Sequence, residues 1–182
     1  MMQLIEHFYP EDNDLRRTLL KHSENVRRKA LEIAKSSGFD LDLELVSRGA
    51  MLHDIGIFKC HAPDIFCTGS SPYITHGIIG GKLLRQYGAE NGLDLENCAR
   101  ICERHTGSGL SVEDILSQRL PLPEKDLLPQ TLEEKVICLA DKFYSKSGSG
   151  EEKSLGAVRG SFSRFSLSSQ KRLEELITLF KL

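Results

Sequence analysis

Apolar residues recur at steps of three and four along almost the whole chain, and no segment alternates apolar and polar residues convincingly, as a half-buried strand would. A chain so patterned buries its apolar stripes by packing helix on helix, so the fold class expected is all-α, a helical bundle. The spacing predicts a first helix from Asp12–Asp14 to Gly38, with Leu15, Leu19, His22, Val26, Ala30 and Ile33 inward and Arg16, Arg17, Arg27 and Arg28 mostly off that stripe. A second spans about Asp42 to Asp54, carries Val46, Gly49, Ala50 and His53 on one side, and breaks at Gly56, which lets the chain turn away. A third, from Ile74 to Gly88, carries His76, Gly80, Leu83, Leu84 and Tyr87 on one face. A fourth, from Leu93 to His105, lines up Leu95, Cys98, Cys102 and His105. Between the second and third, residues 59–75 form a loop long enough to be a functional cover.

Two helix starts are written in side chains. Ser111-x-x-Asp114 resembles a capping box opening a short helix, and Thr131-x-x-Glu134 is a closer match, opening a helix through Tyr144. The Ser/Gly-rich stretch Ser145–Gly150 then separates this part from terminal helices near Lys153–Phe165 and Ser168–Phe180. With 182 residues and no internal repeat, the expected organisation is a single domain over 1–182, its core at about 12–145 and a helical extension at about 151–182. A chain of that size buries enough surface to need neither disulfide nor structural metal for folding. Its five cysteines lack framework spacing and read as reduced thiols. Residues 1–10 have neither a basic start nor an apolar run, and no stretch approaches a membrane span, so a cytoplasmic location is expected. A net charge of −2 gives no overall field for nucleic acid or anionic membranes, and any phosphate site must be local.

The chemistry-bearing residues are concentrated. Four of the six histidines (His22, His53, His76, His105), with Asp54 and Asp141, sit on inward stripes near helix ends. Buried carboxylates and imidazoles are costly unless paired or metal-bound. Each alone reads as a satisfied core residue; six in this arrangement read as metal ligands. Mixed imidazole and carboxylate donors suit a divalent ion of intermediate hardness, and a carboxylate such as Asp54 has two oxygens with which to bridge two ions.

The order His22, His53-Asp54, His76, His105, Asp141 resembles the HD superfamily of metal-dependent phosphohydrolases, and His53-Asp54-Ile55-Gly56 resembles its HDIG branch. His76-Gly77, His105-Thr106-Gly107 and Leu139-Ala140-Asp141-Lys142 are similar to the HD-type diadenosine tetraphosphate hydrolases, over roughly residues 15–145. The resemblance implies an HD-domain bundle with the metals at its centre. It implies one ion on His22, His53, Asp54 and Asp141 and a second served by His76 and His105, with iron, manganese, zinc, cobalt or nickel as candidates. Some dinuclear relatives place a lysine three residues after the motif's Asp; this chain has Ile57 there and Lys59 two residues further on.

The function expected is therefore hydrolysis of a phosphoester or phosphoanhydride, with the word nucleotide supplied by the resemblance alone. The partner expected is a small-molecule phosphate, with neither membrane nor nucleic acid. Asp54 is the central catalytic candidate. His61 and Asp64, in the loop, are candidates for the acid that protonates the leaving group, and Lys59, Lys82 and Arg104 for phosphate contacts. Each has a plainer reading as a solvated residue. Asn25, one turn beyond His22, is either a substrate contact or a surface residue, and Arg159 and Arg164 are placed to fold over the site. Cys98, Cys102 and His105 share a face, but zinc sites normally want a fourth ligand, and apolar packing accounts better for both cysteines. Two rival readings stand beside it: an HD-type di-iron oxygenase, which uses the same ligand order, and a non-catalytic nucleotide-binding regulatory module, whose expected mark is loss of ligands where this chain keeps all six.

Overall fold

In a computed structural model, residues 1–148 and 150–182 are described, and Ser149 lies outside them. The described residues form nine helices: α1 (Met2–Phe8), α2 (Asp14–Ser36), α3 (Leu43–Leu52), α4 (His76–Asn91), α5 (Glu96–Arg104), α6 (Val112–Ser117), α7 (Leu132–Asp141), α8 (Leu155–Phe162) and α9 (Leu167–Leu179). The bundle is thus all-α in class, and none of these helices is long and apolar enough to cross a membrane.

The longest helix begins where its cap dictates. Asn13 accepts a hydrogen bond from the Arg16 amide at 3.0 Å, and the chain leaves α2 through Gly38 at φ +78°, a conformation open to glycine. The stripe of α2 is buried as expected at Leu19, His22, Val26, Ala30 and Ile33, with Leu15 half-buried. The centre of the bundle is α3, packed against α2, α5 and α7, while α4 lies along α5. In α7, Val136 to Ala140 are all buried, so this helix runs through the core.

Three elements depart from the sequence reading. The N-terminal segment is a helix, α1, and its end grips the turn after α3. The Tyr9 hydroxyl donates to the Ile55 carbonyl at 2.9 Å, and its ring meets Phe58 edge-on. The loop at 59–75 is tied by a small sheet of β1 (Cys60–Ala62), β2 (Cys67–Thr68) and β3 (Ser71–Pro72), in the order β2-β1-β3. β1 pairs antiparallel with β2 (His61 opposite Thr68) and parallel with β3 (Cys60 opposite Ser71). The helix expected through Tyr144 ends at Asp141, which puts that carboxylate at a helix terminus.

The capping boxes divide. Ser111 and Asp114 satisfy each other's amides in full. Thr131 accepts from the Glu134 amide, but the Glu134 carboxylate turns instead to Arg100, Arg104 and the Gln130 amide. Asp114 does further duty: Arg172 of α9 donates to it at 2.5 Å, and Ser166 and Ser168 also reach it. This ties the C-terminal helices to α6.

Candidate metal centre

Helix termini deliver most of the cluster. His53 caps α3 and Asp54 follows it, His76 opens α4, His105 caps α5, Asp141 ends α7, and His22 faces them from α2. His53 and Asp54 are completely buried, and His22, His76 and His105 nearly so. Two glycines bring these termini together. A side chain at Gly56 would overlap the His76 carbonyl, and one at Gly77 the Cys102 carbonyl, so the turn, α4 and α5 touch backbone to backbone. Gly56 itself has an ordinary helical conformation (φ −86°, ψ −6°). It serves close approach, correcting the expectation that it lets the chain turn.

The atoms that could hold metal ions fall into two groups that share one residue: His22, His53, Asp54 and Asp141, and Asp54, His76 and His105. Asp54 divides its oxygens between them. Oδ2 lies 3.3 Å from His22 Nε2 and 3.0 Å from His53 Nε2, while Oδ1 lies 3.4 Å from both His76 and His105 Nε2. Asp141 Oδ1 completes the first group at 2.9 Å from His22 Nε2.

Three imidazoles are oriented by the same device, an Nδ1–H donated to the carbonyl three residues earlier: His53 to Ala50 (2.6 Å), His76 to Tyr73 (2.7 Å) and His105 to Cys102 (2.8 Å). A carbonyl only accepts, so Nδ1 carries the proton, and in a neutral ring Nε2 is left with its lone pair. Burial drives the His76 pKa down to about 3 and lowers that of His105, so both rings are neutral at pH 7. Their Nε2 atoms nevertheless face each other at 3.0 Å, two acceptors with no proton between them. That juxtaposition calls for a cation. Around the first group, burial opposes charge on His53, but the Asp54 and Asp141 carboxylates outweigh it and hold its pKa up to about 9. Burial likewise works against ionisation of both carboxylates. His53 and Lys146 keep Asp54 well below the usual carboxylate range, and Lys142 and Lys146 do the same for Asp141. Neither Asp54 oxygen meets hydrogen-bond geometry with a neighbour, and His22 Nδ1 is also unpartnered. Buried and converging, with Asp54 Oδ1 and the facing His76 and His105 lone pairs left without a donor, these groups fit divalent metal ions.

Beside the cluster lies a cavity of about 460 Å³, and a second of about 260 Å³ adjoins His22; Asp64, Ser145, Lys146 and Ser147 border both. Of the sequence candidates outside the cluster, Asp64 and Arg164 line the larger cavity, and Asn25 lines the smaller while donating to the Gly150 carbonyl. Lys59 lies exposed over the Phe58 ring, and His61 and Lys82 are exposed. Arg104 is turned to Glu134 at 2.9 Å, and Arg159 to Glu174 at 2.8 Å. Cys98 and Cys102 are buried, and burial raises both thiols, against a thiolate site.

Sequence reasoning missed Lys146. Its ammonium sits 2.6 Å from Asp54 Oδ2 and over the Tyr73 ring. Burial disfavours that charge, but Asp54, Tyr73 and Asp141 outweigh it and the pKa is raised. The available clue was a single basic residue in a strip of small ones, five positions after Asp141. Lys142, present in a sequence motif but given no role there, donates to Asp141 at 2.6 Å and to the His105 carbonyl at 3.0 Å, linking the ends of α7 and α5.

The sequence model of the HD domain family matches residues 19–145. An uncharacterized protein of Methanocaldococcus jannaschii is 38% identical over 126 residues, 68% of this chain and 64% of its own length. tRNA (cytidine(56)-2'-O)-methyltransferases of Picrophilus torridus and Thermoplasma volcanium are 35% and 31% identical over 127 residues. Those matches cover 70% of this chain but only 31% and 32% of the methyltransferases. Among solved structures, the HD domain of the L. monocytogenes phosphodiesterase PgpH superposes with a TM-score of 0.51 at 17% identity, over 91% of both chains. The same domain in complex with cyclic-di-AMP gives 0.50 at 19% identity, over 91% of this chain and 89% of that one. At such identities the likeness is one of fold.

Proposed function

The chain belongs to the HD domain family, and we propose that it is a metal-dependent phosphohydrolase acting on a nucleotide phosphoester or phosphoanhydride at a dinuclear centre. One observation carries the reading: Asp54 turns one oxygen to each of two histidine pairs, an arrangement suited to a bridging carboxylate. His22, His53, Asp54 and Asp141 would hold one ion, and Asp54, His76 and His105 the other. Bound there, divalent ions supply Lewis acidity, lowering the pKa of a water and offsetting charge on phosphoryl oxygens.

The protein's own groups do the rest. The Nδ1 bonds to backbone carbonyls aim the Nε2 atoms of His53, His76 and His105 without side-chain rearrangement, and in neutral His76 and His105 that atom carries a lone pair. Lys142 fixes Asp141. Lys146, charged and at the cavity wall, is positioned to meet a phosphoryl oxygen. Hydrolysis forms a bond from water oxygen to phosphorus, the water giving up a proton to solvent, and breaks the bond from phosphorus to the leaving oxygen, which takes a proton. Asp64, at the border of both cavities, is the sequence candidate for that proton's source. The nucleotide part of the reading is supported by relatives only: one fold neighbour is a phosphodiesterase domain seen with cyclic-di-AMP, and two relatives are named for a reaction on tRNA.

The test is a hydrolysis screen over nucleoside mono-, di- and cyclic phosphates and dinucleoside polyphosphates, with manganese, iron or cobalt supplied and bound metal measured. Phosphate release that Asp54→Ala abolishes together with bound metal is the expected result. Full activity of that variant at unchanged metal content overturns the reading. So does oxygen consumption by iron-loaded protein that releases no phosphate.

A further inference from the structure

The far wall of the larger cavity is built by residues beyond the family match, which ends at residue 145. Lys153, just before α8, and Arg164, just after it, both face this cavity. Neither side chain has a carboxylate partner among the described residues. Other cations of the same segment are paired: Arg159 with Glu174, Lys171 with Glu175 and Arg172 with Asp114. Lys153 is also crowded by like charge. Burial lowers its pKa; Asp141 opposes that, while Lys142, Arg164 and Lys146 lower it further. Lys153 is half-buried, so its unpaired charge is costly there and is relieved by an anion, which the exposed Arg164 at the same wall can also meet.

Aromatic groups complete the wall. Phe165 is 42% exposed at the cavity and rests on buried Phe162, with ring centroids 5.2 Å apart. The Arg164 guanidinium lies over the Phe165 ring, 5.1 Å from its centroid. An exposed ring held by a buried one, with a planar cation beside it, offers a flat surface to a base. The segment is also anchored, since Arg172, Ser166 and Ser168 converge on Asp114. A cavity of about 460 Å³ is of ligand size.

We propose that Lys153, Arg164 and Phe165 form a subsite for the uncleaved part of the substrate, which is a nucleoside polyphosphate. The reacting phosphorus lies at the Asp54 cluster, the next phosphate between Lys153 and Arg164, and the base on Phe165. This rests on the phosphohydrolase reading above and makes the C-terminal extension the determinant of specificity.

Two measurements separate the two claims. In the first, ADP, GDP, CDP and UDP are each titrated into chelator-treated protein, where hydrolysis does not interfere. At least one binds the wild type, and Lys153→Met and Arg164→Gln each weaken it about tenfold or more, as loss of a charge-assisted hydrogen bond does. Phe165→Ala weakens the diphosphate but leaves inorganic pyrophosphate unchanged. In the second, p-nitrophenyl phosphate is hydrolysed with manganese. This small ester does not span the wall, so Arg164→Gln and Phe165→Ala leave its kcat and KM within about twofold, while KM for the diphosphate rises. Arg164 and Phe165 are exposed, and circular dichroism checks that the variants fold. The inference is overturned if none of the four diphosphates binds, if the variants bind as the wild type does, or if both substrates lose equally. Diphosphate binding through the wall with no phosphate release from any substrate refutes the hydrolase reading and leaves the subsite standing.

Discussion

Replacing Gly56 by alanine tests how the two halves of the cluster are kept together. A Cβ there would overlap the His76 carbonyl and lie 2.5 Å from the Gly80 amide nitrogen and 3.0 Å from Gly80 Cα. Ordinary contact needs about 3.5 Å, so α4 must retreat by roughly 1 Å. The obstacles are backbone atoms, which no rotamer change relieves. Overpacking costs about 1–3 kcal/mol, and this geometry belongs at the upper end. About 3 kcal/mol in a chain of this length lowers Tm by roughly 6–12 °C. The shift also draws His76 away from Asp54 Oδ1 and His105 Nε2, now at 3.4 and 3.0 Å. Displacements of about 1 Å cost a catalyst on the order of 100-fold. The assay is a thermal melt with metal analysis, and Gly80→Ala is the control. Its nearest contacts stand at 3.3 Å, and a helix interior favours alanine over glycine by about 1 kcal/mol, so it stays near wild type. If Gly56→Ala melts within about 2 °C of wild type and keeps its full metal content, the close-approach argument is refuted.

Other outcomes follow from the same structure. The double variant His76→Ala/His105→Ala retains about one ion per chain on His22, His53, Asp54 and Asp141, with activity falling much further than bound metal; a wild type saturating at one ion contradicts this. Burial works against ionised Asp114, but the Ser111 amide and hydroxyl and Arg172 outweigh it and lower its pKa in the folded protein. Its contribution is therefore full above the unfolded value of about 3.9 and is lost as pH falls through the folded value. Asp114→Asn should lose about 1–3 kcal/mol at pH 7 by denaturant melt, with the gap to wild type narrowing in acid; a gap constant with pH counts against it. Glu134→Ala removes the partner of the partly exposed Arg100 and Arg104 and should cost about 1–3 kcal/mol, a prediction that fails if the melt moves by less than about 1 kcal/mol.

The buried cluster was legible in the sequence because six residues, four His and two Asp, stand in one order, a discrete pattern, and the helices because their period is written in apolar residues. What it concealed was tertiary. Seven residues with two buried positions, Leu4 and Ile5, are too few to declare α1, and strands of two or three residues cannot display alternation. Arg104 looked well placed because it adjoins His105, yet successive residues near a helix end point in different directions, and it meets Glu134 instead. Gly56 illustrates a general ambiguity: a glycine needed for a turn and one needed for contact are identical in sequence. Lys146 was hidden because only the folded chain brings residue 146 back over residue 54.

The three Nδ1 bonds described above end on main-chain oxygens, at positions 50, 73 and 102. Those positions hold alanine, tyrosine and cysteine, and the bond draws on none of their side chains. The orientation of each ring is thus inherited from helix geometry rather than from neighbours that would have to change in concert with it. A lineage is free to vary what stands three residues before each histidine, provided that the turn of backbone survives. Replacing the side chains at positions 50, 73 and 102 should therefore leave the three rings oriented as they are, so long as the backbone turn holds.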